Sequence, residues 1–190
     1  MSLLSHREGG RAMEELEELR RHLNEDRPVS WETLPDISLY MDQLIGYMPR
    51  QLIHAGGAEG LTSAMVNNYI KDGLLPRAEG KRYSREHLAY LTEICALKQI
   101  LPVREAGVLA KCREGESVRD HYEHFRSRLD AALSETAHAL EGETGELEEL
   151  ALELALRSYA DKLACRRILA LLDAGREGDE KKTKKNRKEK

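Results

Sequence analysis

The sequence predicts a mostly α-helical protein: a small domain of helices around one short ribbon, followed by a helical C-terminal extension. Two observations carry that prediction. Charged residues make up 34% of the 190-residue chain and aromatics only 5%, with a single Phe and a single Trp, a poor supply for a sheet core. Apolar residues recur at three- and four-residue spacing in segment after segment, whereas only 74–83 reads as a turn between short extended pieces. The 41% hydrophobic content suffices for one compact domain plus an extension. No apolar run approaches the roughly 20 residues of a membrane span, and the start lacks a signal-peptide profile. Cys95, Cys112 and Cys165 are odd in number and far apart, which suggests neither a disulfide framework nor a zinc module. The expectation is a soluble, cytoplasmic protein.

The elements follow in order. Residues to about Gly10 read as a disordered terminus. Leu16, Leu19 and Leu23 predict a short acidic helix over 13–23. Pro28 and Pro35 interrupt the pattern, with Trp31 and Leu34 anchoring the connector. A helix over 39–53 carries Met41, Leu44, Ile45, Met48 and Leu52 on one side, and Pro49 shortens or kinks it. Glycines make 54–60 a loop. Helix 61–72 begins at Thr62 as N-cap and closes at Gly73. Leu74-Leu75-Pro76 and Lys81-Arg82-Tyr83 flank Arg77-Ala78-Glu79-Gly80 as the tip of a two-stranded turn. Ser84 caps a helix to about 99, with Leu88, Leu91, Ile94, Cys95 and Leu97 apolar, and Pro102 opens a short helix to about 111. Tyr122, Phe125, Leu129, Leu133 and Leu140 mark a helix over 118–140. An acidic, glycine-containing break at 141–145 precedes a Leu- and Ala-dense helix over 146–174. The lysine-rich 176–190 reads as disordered. The predicted units are thus 1–28, 29–113, 114–175 and 176–190.

The net charge of −4 hides a segregation. Residues 1–60 carry −5, 61–113 carry +4, 114–175 carry −7 and 176–190 carry +4. A positive middle between acidic flanks offers phosphate a local surface on an anionic chain. On a helical wheel, Leu61, Thr62, Met65, Val66, Tyr69 and Ile70 fall on one side of helix 61–72, and Ser63, Ala64, Asn67, Asn68 and Lys71 on the other. That outer face has no Asp or Glu. It is small at the start, amide-rich in the middle and basic at the end, and these residue types suit a major groove: small side chains permit close approach, Asn bonds adenine, Lys reaches phosphate or guanine. Two helices, a glycine loop and a ribbon bearing Arg77, Lys81 and Arg82 give the layout of a winged helix-turn-helix, whose wing cations hold phosphate. The alternative from the same residues is a protein-interaction module with a solvated polar helix face and no DNA binding.

Thr62, Asn67-Asn68-Tyr69 and Gly73-Leu74-Leu75-Pro76 together resemble the recognition helix and wing entry of MerR-type transcription regulators. Arg82-Tyr83-Ser84 followed by Glu86-His87-Leu88 is similar to their entry into the next helix, and 94–98 with 100–109 to the helix pair beneath. Trp31, Leu34-Pro35-Asp36, Tyr40-Met41-Asp42-Gln43, Met65-Val66-Asn67-Asn68-Tyr69 and Lys98-Gln99 resemble more closely a bacterial family known only as a domain of unknown function, found chiefly in Gram-positive bacteria. The likeness covers roughly 29–112. It implies a MerR-like winged helix-turn-helix that binds double-stranded DNA and regulates transcription, nucleoid-associated when bound. Ser63, Asn67, Asn68 and Lys71 would face the groove, Arg77, Lys81 and Arg82 would hold phosphate, and Tyr69 would pack the helix. Two departures stand out: Asn67 occupies a position where MerR proteins usually carry Arg, and 54–60 is longer than their turn.

Other constellations are weaker. His121 and His124, with Glu123, have helical ligand spacing but no third or fourth ligand nearby, so they read as a solvated face. Cys165 reads as a structural cysteine. No phosphate loop, nucleophile elbow or paired-carboxylate motif appears, so neither an enzyme nor a cofactor is expected. Two adjoining apolar stripes on 146–174 are too broad for one neighbour. They imply either a homodimer interface or an intramolecular hairpin with 118–140. The lysine-rich tail either adds salt-sensitive affinity for DNA or solubilises the end of the chain.

Overall fold

A computed structural model describes residues 2–52, 60–140 and 147–188. The glycine loop expected at 54–60 and the break at 141–145 lie essentially outside the described residues. The fold is mostly helical, with seven α-helices and no strand among the described residues. They are α1 (Ser2–Glu25), α2 (Met41–Tyr47), α3 (Ser63–Lys71), α4 (Arg85–Leu97), α5 (Val103–Leu109), α6 (Val118–Ala139) and α7 (Leu147–Lys188), with single 3-10 turns at Trp31–Thr33 and Met48–Arg50.

The central helix is α4. His87, Leu88, Ala89, Leu91, Thr92, Glu93, Ile94 and Cys95 are all buried, so it is covered nearly all round, as a helix apolar on every face must be. Around it Leu34, Leu44, Met48, Val66, Tyr69, Leu75, Tyr83 and Tyr122 form one core. This core extends past residue 113, because α6 packs on α4 and inserts Tyr122, whose hydroxyl donates to the Val29 carbonyl at 2.8 Å. Arg126 on α6 donates to the Pro28 carbonyl at 2.9 Å and Arg27 to Ser134 at 3.1 Å, so α6 also holds the connector that leads in from α1.

Four sequence expectations change. Helix starts at Ser2 rather than after Gly10, and α7 continues to Lys188 through the tail expected to be disordered. Both tails lack proline, and once turns are nucleated each further residue adds a hydrogen bond for one residue fixed. The 39–53 helix divides at Met48, where the ring of Pro49 tightens the chain into a 3-10 turn, and its first residue, Leu39, pairs with Tyr83 instead. The ribbon is shorter than expected and its tip lies further along, at Gly80-Lys81. Glu79 and Arg82 bond each other through both backbone pairs (2.9 and 3.2 Å), and positive φ at Gly80 (56°) and Lys81 (64°) marks a type I′ hairpin turn.

A second, smaller cluster joins Leu101 and Ala106 to Leu169 and Cys165 of α7, so Cys165 packs against apolar neighbours. Arg166 pairs with Glu105 beside it, at 3.2 Å. Between α6 and α7 there is the Arg157–Glu135 ion pair. Most of the broad apolar face of α7 is left in solvent: Leu152, Leu156, Tyr159 and Leu163 are 52, 58, 63 and 53% exposed.

Candidate nucleic-acid interface

α3 is fixed at both ends. Thr62 has extended backbone, and its hydroxyl accepts from the Met65 N–H at 3.3 Å, satisfying one of the donors a helix start leaves free. At the other end Gly73 takes φ +72°. Its N–H donates to the Ile70 carbonyl at 3.1 Å and that of Leu74 to Tyr69 at 2.8 Å, a Schellman closure that needs a residue without Cβ strain. Between these caps Val66 and Tyr69 are buried while Ser63, Asn67, Asn68 and Lys71 are all exposed. The wheel reading of α3 therefore matches its packing, including Tyr69 as a core residue.

Arg77, Lys81 and Arg82 are exposed on the hairpin segment that follows. Its base is held by Leu39, which exchanges both backbone bonds with Tyr83 (2.9 and 2.8 Å), and by His87, whose ring meets Tyr83 edge-on at 5.4 Å. His87 Nδ1 accepts from the Ser84 N–H at 3.0 Å. Burial holds its pKa below the usual imidazole value against the opposing pull of the Pro76 and Arg77 backbone, so the ring is a neutral prop beneath the hairpin. Arg82 donates to the Tyr40 hydroxyl at 3.0 Å with its guanidinium 5.0 Å above that ring. This positions the cation without neutralising it. Among the described residues, Lys71, Arg77 and Lys81 form no ion pair.

The structure thus gathers the seven residues into two groups, four on the outer face of α3 and three on the hairpin, joined by 72–76. Sequence reasoning missed Tyr40, because its contact with Arg82 spans 42 positions. It also missed an open groove of about 470 Å³ between Leu74-Leu75-Pro76 and α5, where Arg104 and Lys111 are exposed at the rim. Arg104 lies on α5 and Lys111 two residues past its end, and the positive charge of segment 61–113 was the available signal. His121 is a further difference. It does not belong to a solvated face but is half-buried between Glu93 and Glu116, at 3.1 and 3.0 Å, because α6 packs against α4 at that position. His124 is exposed. Among the described residues no cluster of His, Cys, Asp and Glu is arranged to hold a metal ion, and no helix is long and apolar enough to cross a membrane.

Residues 29–125 match the family described as Domain of unknown function (DUF1836). The chain belongs to that family. No curated protein and no solved structure matches the chain. The DUF1836 unit takes in α2 to α5, the hairpin and the first two turns of α6, and so contains every candidate contact residue together with Glu93, Glu116 and His121.

Proposed function

We propose that the chain is a DNA-binding transcription regulator with a MerR-like winged helix-turn-helix, reading duplex DNA in the cytoplasm. The reading rests above all on α3, capped at both ends, with Ser63, Asn67, Asn68 and Lys71 on an outer face free of acids. The type I′ hairpin with Arg77, Lys81 and Arg82, paired at its base through Tyr83 to Leu39 ahead of α2, supports it as a wing. In this reading the small start of α3 lets the helix approach the base edges, the two amides read them, and the hairpin cations fix register on phosphate.

The same proposal includes a homodimer through 147–174. Leu152, Leu156, Tyr159 and Leu163 follow the 4-3-4 spacing of a coiled-coil seam. The pattern is also palindromic about the point between Arg157 and Ser158. Antiparallel pairing there sets Leu152 against Leu163 and Leu156 against Tyr159, while Glu148, Glu149 and Glu153 meet Arg167, Arg166 and Lys162 of the second copy. Parallel pairing would set like charges side by side.

The decisive experiment is a salt titration of binding to random-sequence duplex DNA. The wild-type chain is expected to bind with a steep slope. Asn67→Ala with Lys71→Ala should weaken binding at least tenfold, and each of Arg77, Lys81 and Arg82 changed to Ala should reduce the slope by about 0.9. Binding that vanishes when the chain is cut after Gly175, and is indifferent to these changes, leaves the interaction-module reading in its place.

A further inference from the structure

The core of the DUF1836 unit contains a carboxylate that neither the fold nor DNA contact requires. Glu93 lies in the middle of α4 between fully buried Leu91 and Ile94 and is itself 1% exposed. A buried carboxyl is costly unless its proton or its partner compensates. One oxygen faces Nε2 of His121 on α6 at 3.1 Å. Nδ1 of the same ring faces Oε2 of Glu116 at 3.0 Å, and that oxygen also accepts the Arg113 N–H at 3.0 Å. Carboxyl, imidazole and carboxylate thus form one continuous chain from the core to the surface, crossing from α4 to α6.

We propose that Glu93, His121 and Glu116 form a proton-operated latch that holds α6 on α4 while Glu93 carries a proton and loosens it when that proton is lost. In the latched state Glu93 O–H donates to Nε2, and Nδ1–H donates to ionised Glu116, so both ring nitrogens have a partner. Removing the Glu93 proton turns a buried carboxylate towards a ring nitrogen lone pair, which both repels it and leaves a charge out of water.

The groups around Glu93 favour this assignment. From the α5–α6 connection Glu116 acts on Glu93, and from α6 His121 lies 3.1 Å away; on its own helix Glu93 neighbours Tyr90, on which Cys112 and Glu86 also act. Burial, and then the charge of Glu116, push the Glu93 carboxyl up to about 8. The Arg113 N–H, with His121 beside it, holds Glu116 below the usual carboxylate range. Tyr90, whose hydroxyl lies 3.3 Å from the Cys112 sulfur, is kept neutral chiefly by burial.

The sign follows directly. The folded chain keeps a proton that the unfolded chain releases near the ordinary value of 4.5. Rising pH therefore favours the open form, by up to about tenfold per pH unit between roughly 5 and 8. Because α6 also holds α1 and the connector to it, opening would free both flanking segments from the family unit.

Glu93→Gln provides the test, since its amide N–H can donate to Nε2 at every pH. The full-length wild type and E93Q are compared by thermal midpoint from pH 5 to 9, and by amide exchange of α6 at matched pH. E93Q is expected to match the wild type at the acid end and to exceed it increasingly towards pH 8.5, with α6 at least tenfold better protected there. Parallel midpoint curves and equal protection would overturn the latch. Ring ¹⁵N shifts in the wild type give a second readout that needs no variant. They should show a ring proton on Nδ1, facing Glu116, and none on Nε2, facing Glu93; a proton on Nε2 would refute the assignment.

Discussion

At the scale of single residues, Lys81 is the least expected feature. A lysine at φ 64° sits where a Cβ is disfavoured by about 1–2 kcal/mol, and the neighbouring Gly80 already occupies the other left-handed position of the turn. Backbone strain kept at an exposed cation fits a side chain retained for what it touches. Lys81→Gly should therefore raise chemical-denaturation stability by about 1 kcal/mol while lowering the salt slope of DNA binding by about 0.9. The opposite signs separate a contact residue from a structural one. Gly80→Ala, at φ 56°, should instead destabilise by about 1 kcal/mol. At the same scale Arg82 depends on Tyr40. Loss of the ring through Tyr40→Ala should weaken DNA binding more than Tyr40→Phe, which keeps the face beneath the guanidinium, as affinity measurements at low salt can show.

At the scale of elements, α3 has only nine residues, too short to stand alone in water, so its caps and its two buried anchors decide whether it holds its shape. Thr62→Ala removes the hydroxyl that accepts from Met65 and should cost about 1 kcal/mol of stability. DNA affinity should fall with it, because the exposed face loses its fixed first turn. Both caps were legible in the sequence, since a Thr before an amphipathic run and a Gly after it are local signals with local causes. The hairpin was legible as a turn but not in its register. The choice between a tip at 77–80 and one at 80–81 depends on which residue Tyr83 pairs with, and Leu39 is 44 positions away.

At the scale of the whole molecule, α7 departs most from a self-contained fold. Its buried contacts are few, Leu169 and Cys165 among them, and its large apolar side chains face solvent over several turns, a surface that monomeric proteins rarely keep. Leu156→Glu with Leu163→Glu should convert the proposed dimer to monomer in sedimentation equilibrium without changing the circular dichroism of the remaining helices. DNA affinity should drop at least tenfold, because one half-site is then bound without the other. A monomeric wild type would remove the dimer from the proposal and leave α3 and the hairpin untouched.

Helical class, the caps of α3, the break at Pro49, the outward placing of Ser63, Asn67, Asn68 and Lys71 and the inward placing of Tyr69 were all determined by the sequence itself. Each depends on periodicity or on neighbours within one turn, so a local reading is enough. Tertiary structure alone decided that Tyr122 completes the main core, that Tyr40 supports Arg82, that the hairpin turns at Gly80-Lys81, and that His121 lies between Glu93 and Glu116 instead of in solvent. In every one of these cases the deciding partner is distant in the chain or the register is set by such a partner. A helical period identifies the face a residue occupies; which element covers that face is settled only when the chain packs.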